Sequence, residues 1–372
     1  MKVLHITSPK TWRGGEQQLI YLAQELKKLG VEQLIMCPFN SAVHKYCLKN
    51  HFPHITYFKG FSANPMVAFR VTHISRREAV DLIHVHDSHA HNFAVLSSVL
   101  TSNDLPVVVS RRVDFAISGT SMSLFKYNHP RVKKIVCVSN AIKNIMEEFI
   151  EEKEKLTVVH SGIDLARFEG VETGASLREE FNIPADHKLI GNVAALAPHK
   201  DYPTFVRTAK ALIDRGEKMR FVAIGEGPSR KEAEEAIAEA GMEDHIHLAG
   251  FRDNVPSLLL ELDLFLMTSK TEGLGTSLLD AQASGVPIVA TDAGGIGEIV
   301  QHEKTGLLCD VGDENALADA VVRMLQEGDL RNRCIDAARK SVREFSKERT
   351  AEKTLDVYSL VLEKASGNDS TP

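Results

Sequence analysis

Short apolar runs alternate with longer amphipathic segments along almost the whole chain. The first run, residues 2–6, is followed by a segment in which Leu19, Leu22, Ala23 and Leu26 lie on one face at helical spacing. Apolar strands separated by helices are typical of parallel sheets that are covered on both faces. The pattern predicts an α/β protein with strands at 2–6, 31–36, 54–57, 81–86, 106–110, 134–138, 155–159, 188–192, 220–224, 245–249, 262–267, 287–290 and 306–308.

Glycine and proline interrupt polar sequence between residues 161 and 187, and the alternation of strands and helices restarts after residue 187. We therefore expect two doubly wound, Rossmann-like domains, at residues 1–165 and 166–345. A helix at 346–365 carries Leu355, Tyr358 and Leu362 on one face, and we expect it to cross back to the first domain. The polar residues 366–372 are predicted to form a disordered tail.

The two predicted domains differ in charge. Residues 1–150 contain 18 Lys and Arg against 10 Asp and Glu, a net charge of +8, while the remainder contains 26 against 40, a net charge of −14. Opposite charge indicates different partners for the two domains, although surface charge also drifts without consequence. A basic first half would suit an anionic partner at a membrane, with Arg76 and Arg77 among the groups in contact.

The five cysteines are scattered, and none belongs to a C-x-x-C pair, which argues against a disulfide framework and a structural zinc site. No apolar run approaches the length needed to cross a bilayer, and the N-terminal run is too short for a secretory signal. The composition is therefore typical of the reducing cytosol. Peripheral attachment to the inner face of the plasma membrane is a further expectation.

The most informative segment comprises residues 269–287. It follows a predicted strand, and a helix is predicted to start near Gly275, which is where ligands bind in an open α/β sheet. Gly273 and Gly275 let the backbone approach a ligand, and the first N–H groups of the helix attract an anion. Glu272 before the helix and Asp280 within it could accept hydrogen bonds from hydroxyl groups. Taken alone, two acids at this spacing are more often ordinary helix residues.

Further motifs accompany this pair. The segment 285–298 continues the pattern, and the chain also contains Gly-Glu-Gly-Pro at 225–228, Gly-Phe at 250–251, His-Ser-Gly-Ile-Asp at 160–164 and Gly-Gly at 14–15. In this order they resemble the motifs of family 4 (group 1) glycosyltransferases, which have the GT-B fold. The resemblance covers nearly the whole chain. It implies two Rossmann-like domains that face a cleft, with a nucleotide-sugar donor bound by the second domain.

The resemblance also implies roles by position: Glu272 holds the donor sugar, Asp280 binds ribose hydroxyls, and Lys200 stabilises the departing diphosphate. Asp280 stands in place of the usual glutamate, and alanines at 194–195 stand where the family has an arginine. The missing cation could be supplied by His199, Arg252, Arg13 or Arg111. The other donor-binding residues implied are Gly15, Gly250, Phe251, Leu274, Gly275, Thr276 and Ser277, and the acceptor side is assigned to Gly14, Arg111 and Asp114.

The segment 81–91 carries four histidines. His84 and His86 alternate along a predicted strand and share one face, and His89 and His91 follow it. The order is close to a dinuclear hydrolase pattern, but the aspartate comes one residue early. In family 4 enzymes the second histidine of D-x-x-H-x-H faces the transferred sugar, which implies a catalytic role for His86. We expect His84 to be structural, and His89 and His91 to lie at the surface.

The function implied by the resemblance is retaining transfer of a sugar from a UDP-, GDP- or ADP-sugar to an acceptor hydroxyl, in bacterial envelope glycan, lipopolysaccharide or glycolipid synthesis. The nucleotide sugar is a substrate, so no cofactor is implied. No acidic metal motif is visible, which predicts a metal-independent enzyme. We expect no nucleic-acid partner. The alternatives left open are a nucleotide-sugar epimerase of the same fold, a metal-dependent hydrolase built on the histidines, and a non-catalytic nucleotide-sugar sensor.

Overall fold

A computed structural model describes residues 1–61, 63–117, 120–172 and 177–367, with side chains described up to residue 364. The chain divides into two compact units. The first consists of Met1–Gly162 together with Lys347–Pro372, and the second of Ile163–Ser346. Each unit is an α/β sheet structure, which confirms the predicted fold class.

The first unit contains a parallel sheet of seven strands in the part of the chain that is described. In chain order they are β1 (Lys2–Ile6), β2 (Glu32–Pro38), β3 (His54–Tyr57), β4 (Leu82–Val85), β5 (Val107–Arg111), β6 (Val132–Cys137) and β7 (Leu156–Val158). Their spatial order is β3-β2-β1-β4-β5-β6-β7. The central strands are buried on both faces, which is why they are apolar throughout.

Helices connect these strands: α1 (Gly14–Lys28), α2 (Ala42–Lys49), α3 (Pro65–Arg77), α4 (Ser88–Thr101), α5 (Ser121–Asn128) and α6 (Asn140–Glu147). Crossovers between parallel strands are right-handed, so α1 and α2 cover one face of the sheet, while α3 and α4 cover the other. Helix α1 begins at Gly14, five residues before Leu19, the first of the apolar positions that predicted it. The Gly-Gly motif at 14–15 forms its first turn, although two consecutive glycines are typical of a loop. The Glu16 carboxylate accepts a hydrogen bond from the Arg13 N–H at 3.1 Å.

The second unit has a parallel sheet of six strands within the described residues. They are β8 (Lys188–Val193), β9 (Met219–Ile224), β10 (Ile246–Gly250), β11 (Leu264–Met267), β12 (Ile288–Thr291) and β13 (Leu307–Cys309). Their spatial order is β10-β9-β8-β11-β12-β13. Each of the strands predicted from the sequence overlaps one observed strand, so these predictions are confirmed.

The helices of the second unit are α7 (Leu177–Glu180), α8 (Tyr202–Asp214), α9 (Arg230–Glu239), α10 (Val255–Leu259), α11 (Thr276–Ser284), α12 (Ile296–Ile299), α13 (Glu314–Gln326) and α14 (Gly328–Ser341). The core of this unit includes Phe205 of α8, Phe221 of β9 and Leu317 of α13, none of which is exposed.

The last helix, α15 (Lys347–Gly367), belongs to the first unit. Its Ala351, Val357, Tyr358 and Val361 pack in one cluster with residues of α1 and with the apolar face of the sheet. Residues 366 and 367 continue this helix instead of starting the predicted disordered tail, and the rest of that tail lies outside the described residues. No helix in the described parts of the chain combines the length and apolar character that would let it cross a membrane.

Candidate active site

In each sheet the chain adds strands first on one side of the first strand and then on the other side. In the second unit the chain adds β9 and β10 on one side of β8 and then returns to place β11 on the other side. In open α/β sheets, ligands bind in the crevice beyond the carboxyl ends of two such strands. Residues 194–201 follow β8 and residues 268–275 follow β11. The crevice of the second unit is therefore lined by two segments that the sequence had singled out.

Lys200 and Glu272 form an ion pair in this crevice. The Lys200 ammonium contacts the Glu272 carboxylate directly, and the two side chains are only 14% and 9% exposed. The hydroxyl of Ser269 donates a hydrogen bond of 2.7 Å to the same carboxylate oxygen. Removal of either member would leave the other as a buried, unpaired charge, which would destabilise the fold. The carboxylate is thus held in place from two sides.

Close backbone packing fixes the loop that carries Glu272. The N–H of Gly295 donates to the Glu272 carbonyl at 2.8 Å. A Cβ atom on Gly294, where φ is +57°, would lie 2.2 Å from that carbonyl oxygen, so no larger residue fits. The N–H of Lys270 donates to the His199 carbonyl at 2.8 Å. The loop after β11 is therefore tied to the loop after β8.

Asp280 lies in the second turn of α11 and is half-buried. The helix starts directly after Gly275, whose φ of +85° favours glycine. Burial raises the pKa of the Asp280 carboxyl group to about 7, and attraction to Arg167 opposes part of this shift. Asp280 therefore changes between acid and anion near neutral pH.

The other predicted donor-binding residues of this unit lie in two places. Thr276 and Ser277 form the first turn of α11, next to the buried Leu274. The N–H groups of such a first turn attract anions. Gly250 ends β10, and Phe251 after it is 74% exposed. Strand β10 is two positions away from β8, so Gly250 and Phe251 do not lie between the two loops that line the crevice.

The loop after β8 has no arginine to accompany Lys200. Arg252, one of the replacements considered, pairs with Glu180 at 2.5 Å. Lys270 lies in the loop after β11, its side chain is 59% exposed, and its ammonium lies 3.2 Å from Asp201. Sequence reasoning overlooked Lys270 because a lysine in an exposed loop carries no pattern of its own.

The sheet of the first unit changes direction in the same way, between β1 and β4. His5 of β1 pairs in register with His84 of β4, and His86 follows the end of β4. The ring centres of His84 and His86 are 4.2 Å apart, and those of His5 and His86 are 5.2 Å apart. All three rings are buried. The sequence singled out two of these histidines but missed His5, because a pairing between distant strands leaves no local pattern.

A chain of hydrogen bonds fixes the tautomers of two of these rings. The Gln33 amide nitrogen donates to the Ala23 carbonyl at 2.9 Å, so the amide oxygen accepts from Nε2 of His5 at 3.1 Å. Burial lowers the pKa of His5 to about 4, so its Nδ1 carries no proton and accepts from Nε2 of His86 at 2.9 Å. Burial also holds the pKa of His86 far below its usual value, and its Nδ1 accepts from Arg112 at 3.3 Å. Neither ring nitrogen of His86 is left for a substrate.

His84 is fixed differently. Its Nδ1 lies 2.5 Å from the Tyr358 hydroxyl, and its Nε2 lies 2.8 Å from the Ser110 hydroxyl. The structural role predicted for His84 is confirmed. The three histidines bring their nitrogens within 4.8 Å of one another, a distance compatible with a metal ion. However, each of their six ring nitrogens already has a protein partner, so the arrangement does not fit the ligand set of a hydrolase.

The prediction that His91 lies at the surface is wrong. Helix α4 begins at Ser88, with the Asp87 carboxylate capping its first N–H groups, and this turns His91 toward the interior. The His91 ring is fully buried and meets the Tyr127 ring edge-on at 4.8 Å. His89 is half-buried.

The remaining predicted residues of the first unit lie at its carboxyl edge. Gly14 and Gly15 have open space around them, since nothing lies within 4 Å of a Cβ placed on either. Arg111 ends β5 and is only 6% exposed, and Asp114 is half-buried in the loop that follows. Their contacts with substrates stay predictions. Besides Lys270, sequence reasoning missed Ser269, His5, Gln33 and Arg112. It placed Tyr358 on the apolar face of the last helix but did not predict its contact with His84.

Two family models match the chain. The model described as "Glycosyl transferases group 1" matches residues 175–341, and the model described as "Glycosyltransferase Family 4" matches residues 12–167. Together the two matches leave only the termini and a short join uncovered.

Curated relatives and solved structures agree with these matches. The N-acetyl-alpha-D-glucosaminyl L-malate synthase of Bacillus anthracis is 27% identical over 80% of this chain and 79% of its own. The UDP-Gal:alpha-D-GlcNAc-diphosphoundecaprenol alpha-1,3-galactosyltransferase of Escherichia coli is 23% identical over 76% of each chain. A glycosyltransferase structure from Rickettsia africae ESF-5 superposes with a TM-score of 0.83 at 22% identity, covering 97% of this chain and 98% of its own.

Proposed function

This chain belongs to the family 4 (group 1) glycosyltransferases, and we propose that it moves a sugar from a UDP-sugar to an anionic acceptor with retention of anomeric configuration. The proposed setting is the synthesis of an envelope glycan or glycolipid. The observation that carries the donor half of the proposal is the Lys200–Glu272 ion pair in the crevice between β8 and β11. A cation and a hydrogen-bond acceptor in this crevice are the groups that a nucleotide sugar needs, which supports the proposal.

In the proposed mechanism the donor breaks this ion pair. The diphosphate competes with Glu272 for the Lys200 ammonium, and the released carboxylate accepts hydrogen bonds from the sugar hydroxyls. Negative charge grows on the diphosphate as the glycosidic bond breaks. Lys200 and the first N–H groups of α11 stabilise that charge, and a single group in this role typically contributes about 2.7–4 kcal/mol. Asp280 binds the ribose.

Retention requires the acceptor hydroxyl to attack from the face that the nucleotide leaves. In the proposal the departing phosphate takes the acceptor proton, because the first unit offers no free base at His86. One nitrogen of His86 donates to His5 and the other accepts from Arg112. We therefore assign His86 a positioning role, in which it orients the Arg112 guanidinium.

The names of two relatives support the nucleotide and the acceptor class. The E. coli enzyme is named for UDP-Gal and for a diphosphoundecaprenol-linked acceptor, and the B. anthracis enzyme is named for L-malate. A diphosphate and a dicarboxylate are both anions. The net charge of +8 on residues 1–150 of this chain suits acceptors of that kind.

An exposed surface on α3 and α4 supports contact with an anionic membrane. We call it the outer basic surface, and it consists of Met66, Phe69, Arg70, His73 and Arg76 of α3 with Val99 and Leu100 of α4. Phe69, His73, Arg76 and Leu100 of this surface border a recess of about 650 Å³. No salt bridge among the described residues involves Arg70 or Arg76, whereas Arg77 pairs with Glu78 at 2.8 Å. Apolar side chains beside unpaired cations suit a bilayer with anionic headgroups.

Metal independence is the last part of the proposal. Among the residues that the structure describes, the histidine trio is the one group of potential ligands that converges closely enough to hold a metal ion. Its ring nitrogens are engaged in hydrogen bonds, and burial keeps the rings neutral beside the Arg112 cation. Lys200 and the α11 N-terminus therefore take the place of a metal in the proposal.

A binding panel followed by a turnover assay tests the function. We expect UDP-sugars to raise the melting temperature more than GDP- or ADP-sugars do. With a labelled UDP-sugar, product should form only when an acceptor is present. Release of free nucleotide without acceptor, together with an epimerised sugar, would indicate an epimerase. Donor binding without turnover on any acceptor would indicate a sensor.

A further inference from the structure

Positive charge is buried without a counterion near the N-terminus of α4, beside the histidine chain. Arg111 is 6% exposed and Lys126 is 8% exposed. No salt bridge within the described residues involves either side chain. Buried charges in proteins are as a rule paired, because an unpaired one loses its hydration without compensation. Two such cations in one place require an explanation.

Lys126 projects from α5 toward the first turn of α4. Its ammonium donates to the Ser88 hydroxyl at 2.9 Å and to the Ser88 carbonyl at 3.3 Å. Burial lowers the pKa of Lys126 to about 8, and repulsion from Arg111 adds to the shift. The fold therefore holds this cation close to a second one instead of separating the two.

Arg111 stands between two aromatic rings, with its guanidinium carbon 5.1 Å from the ring centre of Phe115 and 5.9 Å from that of Tyr127. Its Nε is buried and has no hydrogen-bond partner among the described residues. The same is true of both ring nitrogens of His91, on the other side of Tyr127. Unsatisfied donors of this kind are uncommon in folded proteins, and here they occur beside the two unpaired cations.

The Asp87 carboxylate, which attracts Lys126, does not neutralise this charge. Asp87 attracts Lys126 at a distance, but its oxygens accept from the Ser8 N–H and hydroxyl and from the N–H groups of His89 and Ala90. It acts as the N-cap of α4 and makes no ion pair with the cluster. Within the described residues no carboxylate forms an ion pair with Arg111 or Lys126, which leaves a ligand as a source of the counter-charge.

We propose that Arg111, Lys126 and His91 form a binding site for an anionic oxygen group, a carboxylate or a phosphate, on the acceptor. The guanidinium and the ammonium supply charge-assisted hydrogen bonds, and His91 supplies one further N–H. The proposed site extends the proposed function, because it names the group on the acceptor that the first unit recognises. It rests on that function only in taking the acceptor to be the molecule that carries the anion.

Thermal unfolding of the whole chain, saturated with UDP so that Lys200 is occupied, tests the site. Inorganic phosphate and L-malate are the two probes, and they distinguish a phosphate source from a carboxylate source. We expect at least one of them to raise the melting temperature of the wild type. Lys126→Met and Arg111→Met should each weaken that effect at least about tenfold in apparent affinity, because each removes a charge-assisted hydrogen bond.

The melting temperature of the variant without probe distinguishes a binding site from a structural contact. Lys126→Met removes an uncompensated buried cation, so without probe it should leave the melting temperature at pH 7 unchanged or higher. Lys45→Met on α2 is the matched control, because Lys45 is exposed on the opposite face, and it should change neither result. The proposal is overturned if neither probe stabilises the wild type, if Lys126→Met leaves the response intact, or if it unfolds the protein. Failure of UDP itself to bind would count against the donor site and not against this one.

Discussion

The two units share one sheet topology, yet their crevices have opposite electrostatic designs. In the second unit the Lys200 cation is already paired with the Glu272 carboxylate. In the first unit Arg111 and Lys126 are buried and form no ion pair with a described carboxylate, next to a chain of neutral histidines. In the proposed sites, a ligand phosphate would displace an internal anion in the second unit, whereas an anion entering the first unit would meet cations that no described carboxylate pairs with. The same fold can therefore hold a cation that is paired with a carboxylate in one unit and cations that form no such pair in the other.

The largest expected effect comes from breaking the ion pair on its cationic side. Lys200→Ala should lower kcat/KM by about 10²–10³, because it removes the cation that stabilises the departing diphosphate. It also strands the Glu272 carboxylate and should lower the melting temperature. The double variant Lys200→Ala with Glu272→Gln should regain stability but not activity. A kcat/KM loss below twofold would mean that another cation, such as Lys270, holds the diphosphate.

The carboxylate side of the pair should matter less. Glu272→Gln keeps the shape and the hydrogen bond with Ser269, and we expect kcat to fall about 10- to 100-fold, because hydrogen bonds to a charged group contribute about 1.5–3 kcal/mol. Steady-state kinetics at saturating donor measures this, with the exposed Glu239→Gln on α9 as the matched control. An unchanged kcat would remove Glu272 from the site.

The comparison extends to the outer basic surface of the first unit. Arg70→Gln combined with Arg76→Gln should weaken binding to phosphatidylglycerol-containing vesicles about 30-fold, because each basic group near an anionic surface contributes about 1 kcal/mol. The affinity for UDP should stay the same. Vesicle flotation measures the first effect, and Lys45→Gln with Lys49→Gln on α2 is the control of equal charge. Equal binding to pure phosphatidylcholine vesicles would contradict the membrane proposal.

Asp280 should act on stability and on donor binding in opposite directions. The folded state holds its pKa near 7, above the unfolded value of about 3.8, so the carboxyl group destabilises the fold increasingly as the pH rises from 4 to 7. Asp280→Asn should therefore raise the free energy of unfolding by roughly 1–2 kcal/mol at pH 8 and leave it unchanged at pH 4. It should also weaken donor binding. Denaturant unfolding at the two pH values checks this, and the exposed Asp336→Asn should show no such dependence.

The smallest expected effect is that of a chelator. Turnover should be unchanged in EDTA, because the proposed mechanism stabilises the diphosphate with Lys200 and the α11 N-terminus. A transferase that needs Mn²⁺ serves as the positive control for chelation. If EDTA abolishes activity and a divalent ion restores it, the enzyme needs a metal ion, and the metal-free mechanism is contradicted.

The fold was predictable because its strands are buried on both faces, which makes each one an apolar run. The start of α1 was not, because two consecutive glycines are typical of a loop, and only the contact between Glu16 and the Arg13 N–H shows that a helix begins there. In the second unit, Lys200, Glu272 and Asp280 lie in or next to loops that follow strands, so their placement can be inferred from order along the chain.

The contacts in the site of the first unit could not be predicted from the order of residues along the chain. His5, Gln33 and Tyr358 come from three distant segments, and only the folded sheet brings them to His84 and His86. The burial of His91 depends on where α4 begins. Local patterns specify which residues are polar, but they do not show which of these residues are buried in the folded protein.

Helix α15 places the last part of the first unit at the far end of the chain. The Tyr358 hydroxyl reaches His84 across 274 residues, and all of the second unit lies between them in sequence. During synthesis the second unit is complete before α15 has left the ribosome, while the first unit still lacks the part of its apolar core that α15 supplies. We infer that the part made first finishes folding last, because the histidine chain acquires its final geometry only once α15 has been synthesised.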